Sequence, residues 1–444
     1  MPRFSLEPAQ PAAGLTAEYN PFHNGHARQL AMIREACGAG TPVVAVLSGS
    51  FVQHGEPALL DKWTRAAAAV DCGVDLVFEL PVLASLRSAD YFASGAMQAL
   101  AATGVVRHVF CGAEGLPGAS LDATASLLRD TARYLWSEEG NVELRRLLQE
   151  GDSYGTAWER AIRAHLPAAA PLLRGSNNIL ALAYEKAIGQ QGLPLTLHPL
   201  PRLGQSYHST DLVPPYASAT AIRRFAGQAA PAWTEEDRAA LQAVLPAPSA
   251  ARLFRALSGR TPLPPEGSRV PELGDARPFG DRLAPLLAYY FATHRSSDIY
   301  ERCNADAGLC ARLWNARTAL QDGWEAYLRQ VVTKRYAAPV VHRVCLMLLF
   351  DLPRAFWTRE AGVPVLRVLA FSERGRLLLK QMKETASAPV LTKAADVERL
   401  SDTVSEEQRL LLQADFRATD LWCQLRGFTG CYGLDYQISP YYKK

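Results

Sequence analysis

The sequence predicts an α/β protein: a Rossmann-like domain built on a parallel sheet, then a mainly helical C-terminal domain carrying one small α/β unit. Three observations predict it. Short apolar runs alternate with amphipathic segments from residue 14 to about 112, the order expected of βαβ units. A Pro-, Ala- and Gly-rich stretch with little periodicity follows between Gly227 and Pro278, which reads as a linker region. Beyond it, apolar residues recur at three and four, the helical spacing.

In chain order, GLTAEY reads as the first strand and HARQLAMIREAC as the helix after it. PVVAVLSG, DLVFELP and VRHVFCG are the next strands, separated by helices in DKWTRAAAAVDCG and DYFASGAMQALAATG. Residues 121–191 are mostly helical by pattern, LPLTLHPLPR (193–202) is a further strand, and ASATAIRRFAGQ opens another helix. Residues 1–13 then form a tail, 14–227 the α/β domain, 228–278 the linker with one or two short helices, and 279–444 the helical domain. Within the last, LAPLLAYYFATH, RLWNARTAL, WEAYLRQVVTKRY and VVHRVCLMLLFDL are helical, and VLRVLAF, ERGRLLLKQMKE and PVLTK make a strand, helix, strand unit. The aromatic end RGFTGCYGLDYQISPYYKK has no usable period.

Composition narrows the classes. With 444 residues and 48% hydrophobic content, two or three cores of ordinary size are affordable. Lys+Arg 47 against Asp+Glu 44 leaves a net charge of +3, so a polyanion has to be met by a local basic surface. The eight cysteines are scattered without a CxxC pair or a histidine cluster, which argues for reduced thiols and against zinc. No apolar run approaches the roughly 20 residues of a membrane span, and MPRFSLEPAQPAA lacks the apolar core of a signal peptide. A cytoplasmic protein without a membrane partner is expected.

The chemistry begins at AEYNPFHNGHARQL, where His23 and His26 flank Asn24 and Gly25 at a strand-to-helix junction. A helix start presents unpaired amides and the positive end of its dipole, so it attracts phosphate. Gly25 permits close backbone approach, and two imidazoles turned to one side can donate to phosphate oxygens as charge develops at an α-phosphate. A lone histidine there would be a cap partner; the HxGH spacing suits adenylyl transfer, which needs positioning and charge stabilisation. In ASATAIRR, Ser218 and Thr220 fall at a second helix start with Arg223 one turn inside. A hydroxyl cap beside a guanidinium is again a phosphate site, and it resembles the ISSTxIR element of HIGH-type nucleotidyltransferases. Together the two elements point to ATP.

GLTAEYNPFHNGH, SGSFVQHGEPALLDKW, GVDLVFELP, CGAEG, GSNNILALAYEKA, ASATAIR, VTKRYAAPVVHR, SERGRLLLKQMK and DFRATDLW follow one another as in the tRNA(Met) cytidine acetate ligase family, which the chain resembles from about Gly14 to about Leu425. The resemblance implies a Rossmann-like, HIGH-type nucleotidyltransferase domain that activates acetate with ATP as acetyl-adenylate. The acetyl group then passes to N4 of the wobble cytidine in the anticodon loop of elongator tRNA(Met). It implies an ATP-contacting stretch made of Thr16, Ala17, Glu18, Tyr19, Asn20, Pro21, Phe22, His23, Asn24, Gly25, His26, Ala27, Arg28 and Gln29. Gly112 in CGAEG, Asn177 in SNNIL and Arg202 in PLPRL match the family's further ATP positions, and Mg2+ is expected with ATP.

In GSFVQHGEPALLDKW, Asp61 suits an N-cap and Trp63 and Ala66 to Ala69 suit packing, while Asp61 and Lys62 stay open between structural and functional roles. His54 departs from the arginine common in the family. Candidate tRNA contacts are Arg145 and Arg146, Lys334 and Arg335, and a helix on which Arg376, Lys380 and Lys383 share one face near Arg374. Two rival readings remain at this level: an adenylyltransferase acting on a small metabolite, and a non-catalytic tRNA-binding protein of the same fold.

Overall fold

The structure, a computed structural model, describes residues 12–114, 120–201, 211–229, 233–257, 278–359, 362–400, 405–428 and 431–444. The N-terminal elements alternate as expected: β1 (Ala12–Ala17), α1 (Asn24–Cys37), β2 (Val43–Ser48), α2 (Lys62–Asp71), β3 (Leu76–Leu80), α3 (Ala89–Ala102) and β4 (Val106–Ala113). β2 and β3 are buried along their whole length, which is why they read as continuous apolar runs. Helices Leu121–Trp136, Glu138–Gln149 and Tyr154–His165 lead to α4 (Ser176–Gln191) and β5 (Thr196–Pro201). Next come α5 (Ala219–Ala229), α6 (Glu235–Val244) and α7 (Ala247–Leu257), then a helical layer that includes α8 (Ala338–Phe350). The chain closes with β6 (Leu366–Ser372), α9 (Glu373–Thr385), β7 (Val390–Leu391), α10 (Glu406–Arg426) and β8 (Tyr441–Lys443).

The sheet order is β8-β6-β3-β2-β1-β4-β5, with β7 paired to β6 off this path. β1 to β5 pair in parallel, β6 runs antiparallel to β3, and β8 is parallel to β6. The small α/β unit of the C-terminal part is therefore an extension of the N-terminal sheet. Without β6, β3 would offer an unpaired edge, and the run LRVLA in β6 is buried on both faces. The segment read as a linker is also partly folded: Leu241, Val244 and Leu253 pack against Ala221, Ile222 and Leu60, and Arg252 pairs with Asp71 at 2.6 Å. The first strand starts at Ala12, two residues inside the expected tail, because Ala12 and Ala13 are fully buried. Residues 1–11 and 258–277 lie outside the described residues.

One face of the sheet is covered by α3, α4 and the helices between β4 and β5, and the other by α1 and α2. A separate helical core gathers Leu283, Tyr327, Val344, Met347, Leu411 and Trp422. Asp61 caps α2 by accepting from the Thr64 amide at 2.7 Å, and Trp63 and Ala66 to Ala69 are buried. Lys62 is structural. Its fully buried ammonium donates to Glu79 at 2.7 and 2.9 Å and to Asp435 at 2.7 Å, and Arg367 joins the same two carboxylates. No helix among the described residues is long and apolar enough to cross a membrane.

Two histidines give the fold a pH dependence. Burial, then Arg343 and His54, pulls His342 from 6.5 to about 4. Burial, then His108 and Arg129, does the same to His198. Both protonate more readily in the unfolded chain, so stability is full above pH 6.5 and falls as pH drops toward about 4. Urea melts should show this decline, and His342→Phe should make it shallower.

Candidate active site

The site grows from the junction of β1 and α1. His23 caps α1, its Nδ1 accepting from the Gly25 amide at 3.1 Å, and the His26 Nδ1 accepts from the His23 amide at 3.2 Å. Because both Nδ1 lone pairs are engaged, the proton of each neutral ring belongs on Nε2, where it can be donated. The rings stack with centroids 3.7 Å apart and planes 20° apart, so the turn does bring them to the same side. Tyr19 and Phe22 pack on His26 from behind, with ring centroids at 4.9 and 5.4 Å. Gly25 is required here, since a Cβ would stand 2.9 Å from the His23 ring.

The loop before α1 is held from several elements. Arg65 is fully buried and its guanidinium donates to the carbonyls of Glu18 (2.7 Å), Ser48 (3.0 Å), Leu60 (3.0 Å) and Gly49. Burial, only partly offset by Asp61, Glu18 and Glu79, lowers its pKa to about 10. The Glu18 carboxylate accepts from the Gln53 amide at 2.8 Å, and the Asn20 amide oxygen accepts from Leu59 N at 2.8 Å. From the far side, Arg223 donates to the Asn20 carbonyl at 2.9 Å and Ser249 to the Phe22 carbonyl at 2.6 Å. Asn24 reaches the carbonyls of Pro215 and Ala243 at 3.0 and 3.1 Å. The helices of the expected linker thus brace the motif.

A cavity of about 460 Å³ opens over the carboxyl ends of β1, β4 and β5, where the order reverses on either side of β1 and where α/β sheets bind ligands. Of the sequence candidates, Thr16, Ala17, Glu18, Tyr19, Asn20, His23, Gly25, His26, Arg28, Gln29, Gly112, Asn177 and Arg223 line it. Gly112 faces open space, with nothing within 4 Å of the position a Cβ would take. Asn177 donates to Glu114 at 2.6 Å, and Asn178 ties residue 114 to α4 through 2.9 and 3.0 Å bonds.

Five candidates do not line the cavity. Pro21 and Phe22 are turned into the core, Ala27 packs against the core from α1, and Asn24 is spent on bracing. Ser218 is buried and caps α5, accepting from Ala221 N at 3.0 Å. Arg202 lies outside the described residues.

Phe92, Leu180, Tyr184 and Met32 also line the cavity and were not singled out. Tyr184 shares a hydrogen bond with Thr16. The spacing of Asn177, Leu180 and Tyr184 on one helix face was the available signal. Gln53 and His54 border the cavity as well.

The basic candidates are unequal in position. Because β6 is antiparallel to β3, α9 starts beside Asp75 and ends beside Thr103 and Gly104, at the amino ends of the parallel strands. Arg376, Lys380 and Lys383 are exposed there, at the opposite end of the sheet from the cavity. Arg146 is bridged to Glu143 and Glu150. Lys334 and Arg335 precede α8, whose Arg343 donates to the Gln53 carbonyl at 3.0 Å beside the cavity.

A parallel sheet with a ligand cavity at its switch point and a histidine-bearing helix start beside it defines a nucleotide-handling α/β protein of the nucleotidyltransferase type. Comparison agrees: the family described as HIGH Nucleotidyl Transferase matches residues 11–429. The tRNA(Met) cytidine acetate ligase of Syntrophomonas wolfei is 32% identical over 440 residues, covering 96% of this chain and 98% of that one. That of Syntrophotalea carbinolica is 34% identical, with 92% of each covered. Two crystal structures of Thermotoga maritima TmcAL, one apo and one bound with alpha-thio ATP, are 27% identical and superpose with TM-scores of 0.83 and 0.81 over 97% of this chain and 99% of theirs. The chain belongs to the tRNA(Met) cytidine acetate ligase family.

Proposed function

We propose that the chain is an ATP-dependent ligase that joins acetate to AMP and passes the acetyl group to N4 of the wobble cytidine of elongator tRNA(Met). The observation that carries the reading is the stacked His23–His26 pair at the start of α1, lining a cavity over the parallel strand ends, in a member of this family.

In the mechanism, the two Nε2–H groups, at the positive end of the α1 dipole, hold the triphosphate and stabilise charge as an acetate oxygen attacks the α-phosphorus. Pyrophosphate leaves and the mixed anhydride remains. The N4 lone pair of cytosine is delocalised into its ring, so it needs this activated acyl donor, and the cavity walls limit competing attack by water. A wobble base in a single-stranded loop can be extruded without breaking a duplex. Arg223 steadies the loop and adds positive charge, and Gly112 and Asn177 border the adenosine end. Magnesium would arrive with the phosphates, bound by their oxygens and water with few protein ligands; no group of three His, Cys, Asp or Glu side chains suited to a metal occurs among the described residues.

Incubation with ATP, acetate and labelled pyrophosphate tests the reading. Acetate-dependent exchange, followed by N4-acetylcytidine in digested tRNA(Met), is the expected result. Exchange that requires a different small substrate would favour a metabolite adenylyltransferase, and none at all a non-catalytic binder.

Gly112→Val should weaken ATP binding roughly 10–100-fold in calorimetry, from an overpacking cost of about 1–3 kcal/mol. The fold should persist, because valine suits a strand. Lys334→Glu with Arg335→Glu should weaken tRNA binding and flatten its salt dependence by about one to two phosphate contacts. Filter binding should find Lys380→Glu with Lys383→Glu within about twofold of wild type, as expected for substitutions that remove no phosphate contact.

A further inference from the structure

We propose that Glu18 is the base that takes the proton from the acceptor amine during acyl transfer, a role that rests on the acetyl-adenylate reading above. Among the described residues, Glu18 is the one carboxylate on the cavity lining. A cavity that gathers ATP and acetate gains nothing from a fixed negative charge, which repels both. The chemistry does require an acceptor, because an amine that becomes an amide loses a proton.

Glu18 is held at its backbone and at its side chain. Its backbone carbonyl accepts from Arg65 at 2.7 Å, and Oε1 of the carboxylate accepts from the Gln53 amide at 2.8 Å. Gln53 is in turn tied to α8 by Arg343 at 3.0 Å. The side chain therefore leans on the Gln53 loop, on the flank of the cavity next to α8, while the paired imidazoles stand at the start of α1. Oε2 has no hydrogen-bond partner among the described residues, so its lone pairs can receive a proton. In the step, the N4 lone pair attacks the acetyl carbonyl carbon and the C–N bond forms. Collapse of the tetrahedral intermediate breaks the C–O bond to phosphate, AMP leaves with that electron pair, and the N4 proton passes to Glu18 Oε2.

The test is single-turnover transfer from synthetic acetyl-adenylate to tRNA(Met) transcript, across pH, with the full chain. Wild type should show an acid limb governed by one ionisation. Glu18→Gln should be slower by about 10²-fold or more and lack that limb, and Glu18→Asp should retain it. Wild-type transfer with no acid limb down to the pH at which the fold is lost would overturn the assignment. So would Glu18→Gln transferring at the wild-type rate, or regaining it as magnesium is raised, which would make the residue a metal ligand. Wild type that neither makes acetyl-adenylate nor transfers from it would instead refute the activity, and this role with it.

Discussion

His26→Ala is expected to lower acetate-dependent pyrophosphate exchange by about 10²–10³-fold, the effect of deleting one preorganised donor at a developing negative charge. The imidazole has two jobs, which can be separated. Its Nδ1 satisfies the His23 amide at 3.2 Å, so losing it costs about 0.5–2 kcal/mol as a missing helix cap. Its Nε2–H is the donor to phosphate in the proposed mechanism. A small shift in thermal midpoint together with a large loss of exchange is the expected pattern. Exchange retained within a few-fold of wild type would remove this histidine from the chemistry.

Asp435→Ala is expected to cost about 3–5 kcal/mol, since it strips a partner from a buried ion cluster and leaves excess positive charge without compensation. Burial favours the neutral acid at this position, but Arg367 and then Lys62 outweigh it and hold the Asp435 carboxyl below its usual range. With Asp435 gone, Glu79 is the carboxylate left in ion pairs with both cations. Thermal or urea melts would read the loss. A second substitution, Lys62→Met, should recover part of it by removing the unmatched ammonium. A melt unchanged by Asp435→Ala would mean that the cluster is solvated.

What was legible in the sequence follows from how local each signal is. The alternation of β1 to β4 with α1 to α3 depends on runs of a few residues, and the histidine pair on four consecutive positions, so both could be read directly. Asp61 as a cap is equally local. The partnership of β6 with β3 is not, because nothing in VLRVLAF says whether its neighbour is 20 or nearly 300 positions away. Phe92 and Tyr184 face the cavity only because α3 and α4 converge on β1 and β4, which no short window contains. The position of the basic helix was hidden for the same reason: helical periodicity tells which residues share a face of α9, while the direction of β6 decides which end of the sheet that face occupies.

The insertion of β6 beside β3, with β8 outside it, also has a consequence during translation. The edge of β3 is complete in the nascent chain near residue 80, yet its neighbour ends at residue 372 and the outermost strand at 443. At about 5–20 residues per second, the ribosome leaves that edge uncapped for tens of seconds, a window in which nascent chains can pair wrongly. Release of premature stops short of Leu366 would yield aggregating fragments, however intact their histidine motif.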